Sequence, residues 1–126
     1  MEINFYKYQG TGNDFVMVDD RGQRFDEKNL TLVQKLCDRK FGIGADGLIL
    51  IRNHLEFDFE MIYFNADGSQ SMCGNGARCA VAFAHFLGII RKNTRFLAID
   101  GPHEALISDG QVELLLGNVD KIERKD

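Results

Sequence analysis

The sequence predicts an α+β domain in which a mixed or antiparallel sheet wraps around one buried central helix. Apolar residues alternate with other residues along 57–64, which is the period of a strand. Residues 74–87 are small or apolar on almost every side, a pattern typical of a helix buried on all faces. Three short runs that follow predict further strands at 95–99, 104–107 and 112–116. Strand segments before and after such a helix favour a sheet that surrounds it.

Turn-forming residues separate the predicted strands. Asp109-Gly110 is a strong hairpin signal between two strand-like runs, and Gly101-Pro102 is expected to separate the two runs around it. Near the N-terminus, predicted strands at 3–8 and 15–18 flank a loop rich in glycine and asparagine. A hairpin there would bring this loop to one end of the sheet.

An amphipathic surface helix is predicted over 29–40, with Cys37 on its buried stripe. The loop after it, GIGADG at 42–47, matches the GxGxxG pattern of dinucleotide-binding folds. In those folds a strand precedes the loop and a helix follows it, whereas here a helix precedes it and the apolar run 48–51 follows. We therefore interpret the loop as a turn from the helix into a central strand, where it can line a cleft.

The composition is that of one globular domain and argues against several classes of partner. The 126 residues are 44% hydrophobic and carry a net charge of −4 without a basic cluster, which is unfavourable for binding nucleic acid or an anionic membrane surface. No run approaches a membrane span, and the N-terminus shows no charged-then-apolar leader, so we expect a cytoplasmic protein. We expect the domain to occupy 1–118 and the charged stretch 119–126 to be a linker or a frayed tail.

The cysteines and histidines predict neither a disulfide scaffold nor a metal site. Cys37, Cys73 and Cys79 form no CxxC pair and are odd in number, as expected in a reducing compartment. The histidines are far apart in sequence and away from the cysteines, so we expect no zinc. Packing is the expected role of Cys37.

Cys73 stands where the central helix is predicted to begin. The first backbone N–H groups of a helix have no internal partner and carry part of a positive charge, so they favour a thiolate and can bind a carboxylate or phosphate. Gly74 and Gly76 in the first turn each cost roughly 1 kcal/mol relative to alanine. We infer that something approaches this backbone closely. The alternative is that Cys73 is a small buried hydrophobic residue.

A thiolate beside an anion site could attack a carbonyl group or take a proton from carbon. A nucleophilic thiol is normally paired with a histidine, and His85 is about three helical turns away, so proton abstraction is favoured. Two other classes remain: a non-catalytic module that binds carboxylates or phosphates, and a redox-sensing thiol. The second needs a resolving cysteine, and Cys79 on the same rigid helix is poorly placed for that role.

Three blocks of the sequence together resemble one enzyme family. GTGNDFVMVD at 10–19, GIGADGLI at 42–49, and FNADGS with CGNGARC at 64–69 and 73–79 resemble the N-terminal half of diaminopimelate epimerase. The resemblance implies one half of the fold of that family. It also implies inversion of one α-carbon of LL-diaminopimelate to give the meso isomer, without pyridoxal phosphate or another cofactor, by two cysteines on opposite faces of that carbon.

The resemblance assigns roles to five residues of this chain. Cys73 would be one of the two thiols, and the backbone amides of Gly74 and Asn75 would hold the reacting carboxylate. Asn13 and Asn65 would contact polar groups of the substrate. The family often has glutamine where this sequence has glycine at position 47, so no contact is assigned there.

The chain departs from the family in length, because members are about twice as long and carry their second cysteine in a second half. Cys79 cannot replace that cysteine, because six residues place it about 9 Å further along the same helix. We therefore expect an N-terminal half that is inactive alone and pairs with a C-terminal half, or self-associates through the face left exposed. An alternative is a racemase or epimerase of another amino acid on the same scaffold, which proline racemases and chorismate-derived isomerases share.

Overall fold

A computed structural model describes residues 4–115 as one seven-stranded sheet with two helices. The elements are β1 (Phe5–Gln9), β2 (Asp14–Asp19), α1 (Leu30–Cys37), β3 (Gly47–Arg52), β4 (Phe59–Asn65), α2 (Gly74–Phe86), β5 (Asn93–Ala98), β6 (Gly101–Ser108) and β7 (Gln111–Leu115). Each predicted strand is present, with ends within a few residues of those expected. Neither helix of the described residues has the length and apolarity needed to cross a membrane. The predicted tail 119–126 lies outside the described residues.

The strands lie side by side in chain order, and the sheet is mixed. β2 is parallel to β3, and β4 is parallel to β5. The chain returns to the other end of the sheet through α1 between β2 and β3, and through α2 between β4 and β5. The other neighbouring strands are antiparallel. The predicted α+β fold is therefore confirmed.

Each helix covers one face of the sheet, and alternate strand residues supply the two cores. The core beneath α2 includes Phe15, Met17, Ile49, Ile51, Phe59, Met61 and Tyr63. The core beneath α1 includes Val16, Val18, Leu48, Leu50, Ile62 and Phe64. Every residue of β3 is buried, as expected of a strand covered on both faces.

The sheet curls around α2, which contacts β2, β3, β4, β6 and β7. Its buried stripe is made of small residues and one aromatic: Gly76, Ala77, Cys79, Ala80, Val81, Phe83 and Ala84. The prediction that this helix is buried on all faces is wrong in one respect. Arg78, His85 and Phe86 point outward, and Phe86 is 61% exposed, because the sheet of the described residues does not close around the helix.

One of the two predicted turns in the C-terminal part is confirmed and the other is wrong. Asp109 and Gly110 have φ of 50° and 77° and form the two-residue loop between β6 and β7. Gly101 and Pro102 instead begin β6 and pair with β5, so the chain reverses just before them. Proline is tolerated there because it lies at the start of the strand, and within residues 4–115 no strand pairs with Pro102 on the side away from β5.

α1 is shorter than predicted and leads directly toward the next strand. The Asn29 side chain caps its first turn, accepting a hydrogen bond from the Leu32 amide at 3.1 Å. The helix ends at Cys37 because Asp38 is extended and its carboxylate accepts bonds from the Lys40 and Phe41 amides. Cys37 is buried, and the glycine-rich loop then enters β3, both as predicted.

A buried ion pair fastens the segment after β2 to β3. Arg52 Nε donates to Asp20 Oδ2 at 2.7 Å, and Nη2 donates to the Phe25 carbonyl at 2.7 Å. Asp20 Oδ1 in turn accepts from the Phe25 amide at 3.0 Å. The Arg52 side chain thereby holds residues 20–25, which form no strand, against β3.

Replacing Arg52 with methionine should lower the free energy of unfolding by about 3 kcal/mol, because it leaves the Asp20 carboxylate buried without its cation. Urea denaturation of the two proteins measures this difference. The matched control is Arg95→Met, which removes an exposed ion pair with Glu104 and should cost less than about 1 kcal/mol. Equal effects of the two substitutions would contradict the role assigned to Arg52.

Candidate active site

The three sequence blocks meet at one end of the sheet. β1 and β4 end there, β2 and β3 begin there, and α2 starts above them. The loop 10–13, the loop before β3 and the turn after β4 therefore surround the first turn of α2. Segments far apart in sequence form a single site because the strand pairing brings their ends together.

Cys73 is the N-cap residue of α2, as the sequence predicts. Its backbone is extended, with φ −132° and ψ 122°, and its Sγ accepts a hydrogen bond from the Gly76 amide at 3.4 Å. Its side chain packs against the core beneath α2 and is partly exposed. The sulfur thus lies at the positive end of the helix dipole and is accessible from solvent.

The glycines of the first turn serve two different purposes. A Cβ at Gly76 would lie 3.3 Å from Ile49 Cδ1 and 3.7 Å from Phe15 Cε1, so this glycine lets the helix pack closely on the sheet. A Cβ at Gly74 would meet only Arg78 Nη1, at 4.0 Å. The expected close approach is therefore made by the sheet at Gly76, whereas the surface at Gly74 is open to a ligand.

The amides of Gly74 and Asn75 are available for an incoming acceptor. A helix offers no internal partner to its first N–H groups. Within residues 4–115, neither amide donates a hydrogen bond to a side chain or to a backbone carbonyl. Two adjacent donors at an open helix start form an anion-binding arrangement.

The side chains of Asn13 and Asn75 are brought together by a direct hydrogen bond. Asn75 Nδ2 donates to Asn13 Oδ1 at 2.8 Å and also reaches the Thr11 carbonyl at 3.3 Å. Asn13 Nδ2 donates to Asp46 Oδ2 at 3.2 Å. The loop can adopt this shape because Gly12 has φ 81°, which side chains disfavour. The β1–β2 loop is thus fixed to the start of α2 and to the loop before β3.

Asn65 has a different environment, at the end of β4. Its Nδ2 donates to the Ser69 carbonyl at 3.2 Å, to Ser69 Oγ at 3.0 Å and to Ser71 Oγ at 3.1 Å. These bonds hold the turn that leads into Cys73. The structure does not join Asn65 to the Asn13–Asn75 pair, although all three lie at the same end of the sheet.

A charged cluster beneath Asn13 was not singled out from the sequence. Arg39 Nη2 lies 2.7 Å from Asp14 Oδ1 and 3.1 Å from Asp46 Oδ1, while Lys7 Nζ lies 3.1 Å from Asp14 Oδ2. The Arg39 guanidinium holds the pKa of Asp14 well below its usual range. The cluster orients Asp46, which positions Asn13. In the sequence, the only indication of this cluster is that Asp14 follows Asn13 and Asp46 precedes Gly47, within the blocks that resemble the enzyme family.

The other two cysteines are unsuited to surface chemistry. Cys37 is 3% exposed and Cys79 is 5% exposed, and burial raises the pKa of each thiol to about 11. No cluster of three potential metal ligands occurs within residues 4–115.

Solved structures place this fold within larger proteins. A PhzF-family phenazine biosynthesis protein from Bacillus anthracis superposes with a TM-score of 0.68 at 17% identity, over 90% of this chain and 40% of the larger one. A probable proline racemase from Agrobacterium radiobacter K84 gives a TM-score of 0.60 at 15% identity, over 90% and 41%. The described chain thus shares the fold of part of these two larger proteins, and it carries a thiol at the start of its central helix.

Sequence comparisons match the chain to one family. The family model for diaminopimelate epimerase matches residues 5–122. The chain is 56% identical to a diaminopimelate epimerase of Flavobacterium psychrophilum, over 98% of this chain and 49% of that protein. It is 42% identical to one from Campylobacter jejuni, over 96% and 48%. The chain belongs to the diaminopimelate epimerase family, and it spans about half the length of these relatives.

In the folded protein, iodoacetamide at neutral pH should modify Cys73 and leave the other two cysteines intact. Cys37 and Cys79 are buried and, with their raised pKa values, protonated, whereas Cys73 is accessible. Mass spectrometry of the digested protein measures the modification at each site. Modification of Cys79 as fast as Cys73 would contradict the burial of the central helix.

The ion pairs of Asp14 should make folding stability depend on pH in acid. Hydrogen bonding to Arg39 is the main cause of the lowered pKa of Asp14 in the folded protein. The ionised carboxylate therefore stabilises the folded state fully above the unfolded pKa of about 3.9. This stabilisation is lost as the pH falls toward the folded pKa of Asp14. In Arg39→Gln the free energy of unfolding should therefore fall less steeply from pH 5 to pH 2. Arg24→Gln, which removes the same charge elsewhere, is the control. Identical acid profiles for both variants would show that Arg39 does not act through Asp14.

Proposed function

We propose that this chain is the N-terminal half of a cofactor-independent diaminopimelate epimerase, in which Cys73 exchanges a proton with the α-carbon of the substrate. The reaction interconverts LL- and meso-diaminopimelate and serves lysine and peptidoglycan precursor synthesis. The observation that carries the proposal is the position of Cys73 as the cap of a helix whose next two amides donate no hydrogen bond within residues 4–115. Membership of the family supplies the substrate class.

The Gly74 and Asn75 amides bind the carboxylate next to the reacting carbon. Both are at the positive end of α2, where N–H groups bind an anion without a basic side chain. The absence of a side chain at Gly74 leaves room for the carboxylate to reach the backbone. A carboxylate bound here brings the adjacent α-carbon to the side of Cys73.

Proton transfer then proceeds between the sulfur and the α-carbon. The Cys73 thiolate takes the α-hydrogen, forming an S–H bond, while the electron pair of the C–H bond moves toward the carboxylate. The two amides bind this enolate-like charge more strongly than the original carboxylate, and that difference accelerates the step. A second thiol on the opposite face donates a proton to the carbon and completes the inversion.

The asparagines position the rest of the substrate. Asn13 is held between Asn75 and Asp46 and presents a fixed polar group beside the helix start. Asn65 stands at the end of β4 and contacts a polar group of the substrate from the other side of the site. Their bonds to neighbouring loops preorganise them, which reduces the loss of entropy when substrate binds.

The second thiol belongs to a C-terminal half that this sequence does not contain. Cys79 is buried in the core beneath α2 and cannot face Cys73 across a substrate. The chain alone is therefore inactive and pairs with a C-terminal half, with 1–118 as the domain and 119–126 as the connecting segment.

Without that half, the open face around Gly74 promotes self-association. The free thiol of Cys73 suits the reducing cytoplasm.

The direct test measures exchange of the α-hydrogen of diaminopimelate in deuterated water. This chain is combined with the separately produced C-terminal half of the Flavobacterium psychrophilum relative, and the two halves of that relative serve as the positive control. Exchange and epimerisation should occur only with both halves present, and Cys73→Ala should abolish them. NMR spectroscopy measures the exchange.

Absence of exchange with this chain, while the control pair is active, would contradict the proposal. Exchange that survives Cys73→Ala would remove Cys73 from the mechanism. Serine at position 73 provides a matched variant, because it retains the cap and the polar atom but cannot act as a thiolate.

A further inference from the structure

The Tyr63 side chain occupies the space that a side chain at position 47 would need. Tyr63 lies opposite Ile49 in the sheet, and its ring crosses diagonally onto Gly47, two residues nearer the start of β3. A Cβ at Gly47 would lie 2.5 Å from Tyr63 Cε1 and 3.0 Å from the Tyr63 hydroxyl oxygen. The ring also meets Phe15 edge-on, with ring centroids 5.8 Å apart. The hydroxyl group therefore lies level with the first residue of β3.

This position is at the end of the sheet where the candidate site lies. Gly47 is paired with Asn65 on β4 and with Phe15 on β2. Tyr63 and Asn65 are two residues apart on β4, so their side chains lie on the same face of the sheet. That face carries α2, because Tyr63 belongs to the core beneath this helix and Gly76 packs on Phe15. The Tyr63 hydroxyl thus lies at the same end of the same face as Asn65 and the start of α2.

The Tyr63 hydroxyl is a buried polar group that has no hydrogen-bond partner within residues 4–115. The residue is 7% exposed, and its hydroxyl neither donates nor accepts a hydrogen bond in this part of the chain. Buried polar groups of native proteins are nearly always paired, so an unpaired one requires an explanation. Burial is the main cause that raises the pKa of Tyr63 to about 12, so the phenol is protonated at neutral pH. The group is a donor that lacks an acceptor in the described chain.

Two acceptors of the candidate site are already bonded to other donors. Cys73 Sγ accepts from the Gly76 amide, and Asp46 Oδ2 accepts from Asn13 Nδ2. An acceptor brought by a ligand would therefore complete the hydrogen bonding of the Tyr63 hydroxyl. Diaminopimelate carries two carboxylates, and a hydrogen bond to an ionised oxygen is stronger than one between neutral groups.

We propose that Tyr63 is a substrate-binding residue, whose hydroxyl donates a hydrogen bond to a carboxylate oxygen of the bound substrate. The inference rests on the proposed function, because it takes diaminopimelate as the ligand at the start of α2. It gives a reason for the glycine at position 47, since any side chain there would displace the phenol. The alternation along β4 places Tyr63 in the core, so the sequence pattern gives no indication of this role.

The test compares the intact chain with Tyr63→Phe, which removes one oxygen atom and keeps the ring. Each chain carries ¹³Cζ-labelled tyrosine, is combined with the unlabelled C-terminal half of the Flavobacterium psychrophilum relative, and is titrated with meso-diaminopimelate. In the intact chain, the Tyr63 ¹³Cζ resonance should shift as the substrate binds. The dissociation constant should rise about tenfold in Tyr63→Phe, because a hydrogen bond to a charged group is lost.

Tyr6→Phe is the matched control for this titration. Tyr6 is 41% exposed and packs through its ring on Phe83 and Phe86, so the variant removes a hydroxyl outside the site and keeps the ring contacts. Its dissociation constant should equal that of the intact chain. An unchanged dissociation constant in Tyr63→Phe, an equal rise in Tyr6→Phe, or a Tyr63 resonance that does not move at saturation would overturn the inference.

Folding stability gives a second readout, with the opposite sign. A hydroxyl that has no partner in the chain contributes nothing to the folded state, so Tyr63→Phe should not lower the urea concentration at the midpoint of unfolding. A lower midpoint would show that the hydroxyl is bonded within the protein and would overturn the inference. Failure of the proposed function is distinguishable, because it would appear as absent α-hydrogen exchange with the intact chain and both halves present, while Tyr63 still responded to the bound substrate.

Discussion

The close packing of α2 on the sheet is the constraint on which the rest of the structure depends. Gly76 allows the first turn to rest on Phe15 and Ile49, and the small residues after it keep the helix against the concave face. Packing at this density leaves little freedom for the helix to shift. The direction of the helix axis, and with it the direction in which the Gly74 and Asn75 amides point, is therefore set by apolar contacts. The chemistry of the site is positioned by the core.

Polar contacts then assemble the loops around this helix start. Asn75 holds Asn13, Asn13 holds Asp46, and Arg39 ties Asp46 to Asp14. Residues 10–13 contribute no side chain to either apolar core, so these hydrogen bonds hold that loop in place. These bonds fix the surface groups of the site, and the Gly74 amide makes no hydrogen bond within residues 4–115, so it is open to the carboxylate that we propose it binds.

Local patterns predicted most of the fold, and non-local contacts account for what they missed. The alternation in β4, the Asp109-Gly110 turn and the helix start after Cys73 are encoded within a few neighbouring residues. Arg39 is 25 residues from Asp14, so no local pattern could pair them. The turn predicted at Gly101-Pro102 was misplaced because residue types alone do not show that these two residues pair with the end of β5. The lean of Tyr63 over Gly47 likewise depends on strand register, which becomes visible only in three dimensions.

The central claim is that the start of α2 binds the substrate carboxylate beside a thiol, and amide chemical shifts test it most directly. In a ¹⁵N-labelled sample of this chain with an unlabelled C-terminal half, meso-diaminopimelate is titrated and the backbone resonances are followed. The account predicts that the largest shifts occur at the Gly74 and Asn75 amides, with the Asn13 side-chain amide also affected. Saturable binding with unperturbed Gly74 and Asn75 resonances, or shifts confined to another surface, would contradict it.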